Sequence, residues 1–589
     1  MKTRTYLILA VGLLIAFAYL PYIWGGGSFM IDDWQIRSTA FFQGSFWKTF
    51  RYWNVEGGSG MRPLASFFFA LTPAIFGDNP VGYILLNTAL WLASVLLFRR
   101  IVAEYCGEHV SWWFVALAAV PTIASSTIFE PVTMIIGSSN LFLWALSLAL
   151  LHKYLRSGQK LFFVLSYALL ICALLIYEVI APLLLLTALL PLLHNAIHKN
   201  QNGQNQTSPK QLWNTLRGDL LTFGLPIVAV IASISVFQKL IVPLYGITLS
   251  RLSARPLGDM LRSFARWLFS VCVDTPLMLF SSLLHEGRSL FIRVEFWMLI
   301  AAVLVFVLCL RTFAQAQTSE IVRKKIVGVL TNTSLFYSMI ALTLIFCSVL
   351  SVLSGINMRV EGIENRFLGS TWFMLSVLLA GAIVRFARIG AMLGGFLLVC
   401  VYWSFQIQAG NYVANRSIQE QVLNDCTTKL YAAEKRGERI DSAYIIGNVP
   451  VYANKNFNNE VVFAYRFDFG GGLRMKTNGR VEMGQVVNIN KEAPANDSTR
   501  FFCAISPNQD SVLVGNLTGI MKRPINDKLW WYEYDQFTGK SSLTHITHGA
   551  PQLDSILQFS RTTMINAAPL PATERVRNGM KTLLKRKSA

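Results

Sequence analysis

Apolar runs of about 17 to 25 residues, each followed by a short polar or basic turn, recur through the first two thirds of the chain; that length matches the hydrocarbon thickness of a bilayer. Placing Lys- and Arg-rich turns on the cytoplasmic side orients them and gives about eleven membrane helices. They are Tyr6 to Trp24, Val81 to Ile101, Trp112 to Thr127, Val132 to Leu151, Leu161 to Tyr177, Val179 to Leu193, Leu220 to Val242, Trp297 to Leu310, Leu335 to Val352, Phe367 to Val384 and Leu393 to Phe405. The first run follows Lys2 and Arg4 and lacks a small-x-small cleavage site before Gly25. It reads as a retained signal anchor with a cytoplasmic amino terminus.

Two stretches break the pattern before residue 408. His194 to Arg217, with Gln201 to Gln206 at its centre, has no composition for a core and reads as a cytoplasmic linker. Between Val242 and Trp297 lies an outer segment holding Arg251, Arg255, Arg262, Arg266, His285, Glu286 and Arg288. Its Leu261, Phe264, Trp267 and Leu268 recur at helical spacing, which predicts an interfacial amphipathic helix.

An odd number of spans puts residues 409–589 on the outer side, and the composition changes there to abundant Asn, Asp, Lys and Gly. A helix is expected at Ile418 to Ala433, with strands at Ala443 to Ile446, Val461 to Tyr465 and Ser511 to Val514. The fold class is therefore a polytopic α-helical membrane protein, residues 1–408, followed by a soluble mixed α/β or α+β domain, residues 409–589. Gly470-Gly471-Gly472 opens no phosphate-binding helix pattern and reads as a turn. Trp530-Trp531-Tyr532 reads as core rather than a sugar-stacking platform, and Arg575 to Ala589 as a solvated basic terminus.

Composition agrees with the span count: 53% of the 589 residues are hydrophobic, 14% are charged, and mean hydropathy is +0.45. A soluble globular protein is excluded. The net charge of +20 is scattered among apolar runs, without the clustered, aromatic-interleaved patch that nucleic acid requires. Six of the eight cysteines lie in or beside apolar runs without ligand spacing, leaving Cys426 and Cys503 as the pair to consider for a disulfide.

Candidate chemistry begins at Asp32-Asp33, directly after the first span. A vicinal acidic pair at a membrane edge is costly to keep there and marks a site, although a solvated loop is the plain alternative. On the same face the trace puts Glu130 and Glu178, and two cations, Arg62 and Arg366, whose guanidinium forks suit phosphate. Carboxylates to take a proton and arginines to meet a leaving phosphate fit sugar transfer from a polyprenyl-phosphate donor. His285 does not belong to a zinc-protease pattern and reads as a lone loop histidine.

The early acidic pair resembles that of the membrane-embedded GT-C glycosyltransferases. Arg62-Pro63-Leu64, Phe76 to Tyr83 with Asn87, Glu130-Pro131-Val132 with Ile136-Gly137, Tyr177-Glu178 and Glu364 to Leu368 are similar, in order, to stretches of the transmembrane O-mannosyltransferases that carry tetratricopeptide repeats. The chain departs from them at Ser138, Tyr177 and Asn365, and residues 409–589 lack the repeat period. The resemblance implies catalysis by Asp32 or Asp33, an acceptor pocket shaped by Glu130 and Glu178, and donor phosphate held by Arg62 and Arg366. It leaves open a divalent cation, Mg or Mn, held by Asp32 and Asp33. The partners it implies are a polyprenyl-phosphate-linked sugar, a glycan, lipid or protein acceptor, and membrane lipid; because of the departures, mannose and a eukaryotic setting do not carry over, and the expected setting is a bacterial inner membrane with a periplasmic carboxy-terminal domain. Rival classes are a polysaccharide polymerase or ligase using lipid-linked glycans, and a lipid or solute transporter.

Overall fold

The apolar runs fold as helices in the computed structural model, which describes residues 2–30, 32–56, 62–201, 218, 220–237, 256–321, 327–349, 352, 360, 363–449, 463, 466–487, 502–505, 511–516, 519–524, 528–535 and 538–546. Helix α1 (Lys2–Trp24) leads into α2 (Asp32–Gln43), α3 (Phe46–Val55), α4 (Pro63–Phe76), α5 (Pro80–Cys106) and α6 (Glu108–Ala118). The short α7 (Ser126–Phe129) precedes α8 (Ile135–Ser157), α9 (Lys160–Ile176), α10 (Leu184–Gln201) and α11 (Leu225–Val236). Then come α12 (Leu257–Phe269), α13 (Thr275–Glu286), α14 (Val294–Ile321), α15 (Val327–Phe346), α16 (Gly369–Arg385) and α17 (Ala387–Lys435).

Among the described residues, 8 helices are long and apolar enough to cross a membrane, so the chain is a multi-pass helical membrane protein. Seven of the expected runs are among them. Three more, at Lys160–Ile176, Leu221–Val236 and Thr333–Phe346, are apolar helices of shorter length. The expected run from Trp112 to Thr127 is broken. Helix α6 ends at Ala118, Pro121 cannot continue the ladder, and a 3-10 turn at Thr122–Ala124 carries the chain into α7, all of it buried in the bundle. The expected amphipathic helix forms as α12, and it continues through a π-helical turn at Ser270–Asp274 into α13, so that Leu257–Leu284 together is also long and apolar enough to cross. Helix α10 continues to Gln201, so the first part of the expected linker is helical, and 202–217 lie outside the described residues.

The boundary expected at 408/409 falls inside α17, a single helix of 49 residues. At 1.5 Å per residue it is about 74 Å long, more than twice a bilayer core, so one rod joins the bundle to the strands at its far end. Beyond it stand β1 (Ala443–Asn448), helix α18 (Arg466–Lys476), β2 (Val481–Val487), β3 (Phe502–Ile505), β4 (Ser511–Asn516), β5 (Gly519–Pro524), β6 (Leu529–Tyr534) and β7 (Ser541–His545). One sheet has the order β2-β1-β6-β7, with β1 parallel to both neighbours and β7 antiparallel to β6. The other, β3-β4-β5, is antiparallel. The expected strand at Val461 to Tyr465 and the basic tail lie outside the described residues.

Gly470, Gly471 and Gly472 form the middle of helix α18, not a turn. Glycine usually weakens a helix, and here three close approaches require it. A Cβ on Gly470 would lie 2.7 Å from the Gly484 nitrogen, one on Gly471 3.1 Å from the Trp34 carbonyl oxygen, and one on Gly472 2.6 Å from Leu423. The helix is thus wedged between β2, α2 and α17. Trp530, Trp531 and Tyr532 are buried, as their reading as core requires, and Tyr532 Oη donates to Asp425 Oδ2 at 2.8 Å. Cys426 is a buried free thiol, and the side chain of Cys503, considered as its partner, lies outside the described residues.

One buried cluster joins the two parts. Phe29, Trp34, Val132 and Ile176 share it with Leu423, Tyr444, Phe469 and Trp530. The end of the bundle that carries the acidic pair is therefore also where the sheet packs.

Candidate functional site

Asp32 and Asp33 open helix α2, where the exposed amide dipoles favour negative charge. Their environments differ sharply. Asp33 is fully buried, with Oδ2 accepting from Met30 N at 3.0 Å in the manner of a capping box. Its Oδ1 accepts from Val132 N at 3.1 Å, Thr133 N at 2.7 Å and Thr133 Oγ1 at 2.8 Å. Burial pushes its pKa up to about 7, against the pull of the Met30 and Thr133 hydrogen bonds. Asp33 is therefore an anchor that ties α2 to the turn following Glu130.

Asp32 points the other way. Its side chain is 34% exposed, and its Oδ2 lies 3.5 Å from Nη1 of Arg366. The same Nη1 lies 3.5 Å from Oε2 of Glu130, whose side chain is 1% exposed. One guanidinium thus bridges a buried and an accessible carboxylate. Beside it, Arg62 grips Glu178 with both Nε, at 2.7 Å, and Nη2. The Arg62 guanidinium also lies 4.6 Å over the Tyr177 ring, which is 6.4 Å from the ring of Phe367, next to Arg366.

Short polar contacts hold these groups in position. Asn87 Nδ2 donates to the Pro131 carbonyl at 2.7 Å, and Asn140 Nδ2 to the Tyr177 carbonyl at 2.8 Å. Asn365, fully buried, accepts from Ser126 N at 3.0 Å and Ser126 Oγ at 2.6 Å and donates to Ser125 Oγ at 3.0 Å. It fastens the 3-10 turn Ile363–Leu368 to the segment leading to Glu130 and so sets the reach of Arg366. Sequence reasoning treats Asn365 as a mere interruption between Glu364 and Arg366 and misses it; an amide directly beside a candidate cation is the one signal the sequence holds, and the burial that gives it weight is visible only in the fold.

All six residues singled out from the sequence, Asp32, Asp33, Arg62, Glu130, Glu178 and Arg366, meet in this region. Their expected groupings change: Arg62 and Glu178 pair with one another, and Glu130 pairs with Arg366. Asp33 already accepts four hydrogen bonds, and Asp32 faces a guanidinium. That donor set suits a bound cation poorly, since a divalent ion would face Arg366 and compete with the Asp33 anchor. Of the arginines expected on the outer side, Arg262 pairs with Asp259 of its own helix at 3.5 Å, and 251–255 lie outside the described residues. His285 lies at the end of α13, its side chain outside the described residues.

The arrangement supplies an accessible carboxylate able to take a proton, held against a cation that carries a permanent charge. No family model matches the chain, and neither a curated protein nor a solved structure does.

Proposed function

We propose that the chain is a membrane glycosyltransferase that moves a sugar from a polyprenyl-phosphate donor onto an extracytoplasmic glycan, lipid or protein acceptor. The observation that carries this reading is the bridge from Arg366 to Asp32 and Glu130, at 3.5 Å each, with Asp33 immobilised beside it. It supports a division of labour within the acidic pair: Asp33 anchors, Asp32 reacts.

In this reading the acceptor hydroxyl attacks the anomeric carbon and passes its proton to Asp32. The bond from the anomeric carbon to the phosphate oxygen breaks, and the polyprenyl phosphate leaves with the electron pair. Protonation of Asp32 removes one of the two charges on Arg366 at that moment, freeing the guanidinium for the phosphate as its charge grows. A single displacement of this kind inverts the anomeric configuration. Arg62, with Nη1 not engaged by Glu178, flanks the phosphate, and Glu130 and Glu178 hold the two arginines and border the acceptor.

The site lies at one end of the helices, where α2, the start of α8 and the sheet share a core. That location favours enzyme over transporter, whose charged groups belong near the bilayer midplane on broken repeats. The membrane is the bacterial inner membrane, the amino terminus is cytoplasmic, and the sheet-bearing part is a periplasmic α/β domain. The test is mass spectrometry of envelope glycans from cells carrying the intact chain or Asp32→Asn. Loss of one sugar mass in the variant supports the reading, and identical glycans in cells with and without the chain contradict it.

A further inference from the structure

Three helices that brace the acidic site at one end carry a second constellation at the other. Glu104 near the end of α5, His152 near the end of α8 and His194 within α10 each offer one ligand atom, and these atoms lie within 4.8 Å of one another. Helix α5 runs from Asn87, which holds Pro131, to Glu104, and α8 runs from Ile135, just past the Asp33 anchor, to His152. At 1.5 Å per residue each path is about 25 Å, so the set sits at the far end of the bundle from Asp32. His152 Nε2 is 2.9 Å from Glu104 Oε2. The His152 and His194 rings meet edge to face, 6.3 Å apart with planes at 88°, and His194 is buried. The chain has only 7 histidines, and two of them converge here on one carboxylate from three separate helices.

We propose that Glu104, His152 and His194 bind a divalent transition cation of the zinc class. Two imidazole nitrogens and one carboxylate oxygen suit a borderline-soft ion, whereas magnesium or calcium would call for oxygen ligands throughout. Ligand atoms about 2.0–2.2 Å from a tetrahedral ion stand a little over 3 Å apart, so drawing these three together takes side-chain rotation and not helix movement. Arg156 Nη2 lies 3.0 Å from Glu104 Oε2, and its side chain is 60% exposed. It holds the position on Glu104 that the ion would take and can withdraw into solvent as the ion enters. Bound there, the ion pins α5, α8 and α10 together at the end opposite the acidic pair, with a fourth position left for water. This inference does not depend on the glycosyl-transfer reading.

The test uses the full chain purified in detergent, stripped with chelator and titrated with Co2+ while its visible ligand-field absorption is followed. The expected result is one equivalent bound with a tetrahedral spectrum, and thermal stabilisation by Zn2+. His152→Ala and the near-isosteric Glu104→Gln each weaken binding by roughly tenfold or more. Arg156→Gln tightens it, because a competing cation is removed, an effect a purely structural ion pair would not produce. Failure to bind Co2+ or Zn2+ stoichiometrically overturns the proposal, as does binding that none of the three substitutions alters.

Discussion

Nη1 of Arg366 lies 3.5 Å from Oδ2 of Asp32, and the same nitrogen lies 3.5 Å from Oε2 of the buried Glu130. Removing Arg366 takes away the cation facing a carboxylate that cannot hydrate. Arg366→Ala should therefore destabilise the protein by about 3–5 kcal/mol, the cost of leaving a buried charge without its ion pair. Arg366→Ala combined with Glu130→Gln should recover a large part of that loss. Thermal unfolding in detergent of the two single variants and the double variant measures the coupling, and strictly additive losses would contradict it.

Asp33 is a structural carboxylate with a pH signature. Burial pushes it up to about 7, above the value of about 3.9 for an unfolded aspartate. The folded state therefore holds a proton that the unfolded chain has released. Its contribution is fully present below about pH 4 and is lost as pH rises through about 7, at roughly 1.4 kcal/mol per pH unit in between. Asp33→Asn does not titrate, so the stability of the intact chain relative to this variant should fall across that window. Parallel stability curves for the two proteins would contradict the assignment.

Asn365 fastens the turn that carries Arg366 through Ser125 and Ser126. Asn365→Leu leaves Ser126 N and Ser126 Oγ without the acceptor they use, at about 1–3 kcal/mol for a buried donor. The turn carrying Arg366 then loses its fastening to the Glu130 segment. Sugar transfer should drop roughly tenfold or more at saturating donor, while Asn365→Asp, which keeps an acceptor, should retain more of it. Equal activity in both variants would contradict the positioning role.

Gly471 lets the sheet-bearing part close onto the acidic helix. A Cβ there would lie 3.1 Å from the Trp34 carbonyl oxygen and 3.5 Å from Ser38 Oγ. Gly471→Val should cost about 1–3 kcal/mol through overpacking and lift α18 away from α2. Limited proteolysis at the Arg436-Gly437 bend and at Arg480 is the measurement. Faster cleavage is expected, and protection equal to that of the intact chain would contradict the contact.

Much of this site is legible in the amino-acid sequence, for a definite reason. A charged residue at the end of an apolar run has its depth fixed by the run, so Asp32, Asp33, Glu130, Glu178, Arg62 and Arg366 can be assigned to one face by counting spans. Depth does not fix partners. The pairing of Glu178 with Arg62 and of Glu130 with Arg366 depends on helix rotation and crossing, which hydropathy does not encode. Nor can it separate the two aspartates, because only the turn at Val132 and Thr133 makes Asp33 an anchor.

Elsewhere packing overrides the local signals. Gly470 to Gly472 carries a strong turn signal, yet three tight contacts make it helix. The run from Trp112 to Thr127 has the composition of a span, yet Pro121 breaks it and the bundle buries the pieces. The continuous α17 carries a change of environment within one element, so composition alone puts a boundary where the backbone has none.

The most direct test of the central claim is the rate of sugar transfer from a polyprenyl-phosphate donor by purified Asp32→Asn and Asp33→Asn, each at matched folded concentration. If Asp32 takes the proton and Asp33 only anchors, Asp32→Asn loses about 10²- to 10⁴-fold, the usual contribution of a general base. Asp33→Asn keeps measurable transfer in proportion to its remaining stability. Full transfer by Asp32→Asn, or a loss confined to Asp33→Asn, would contradict the account.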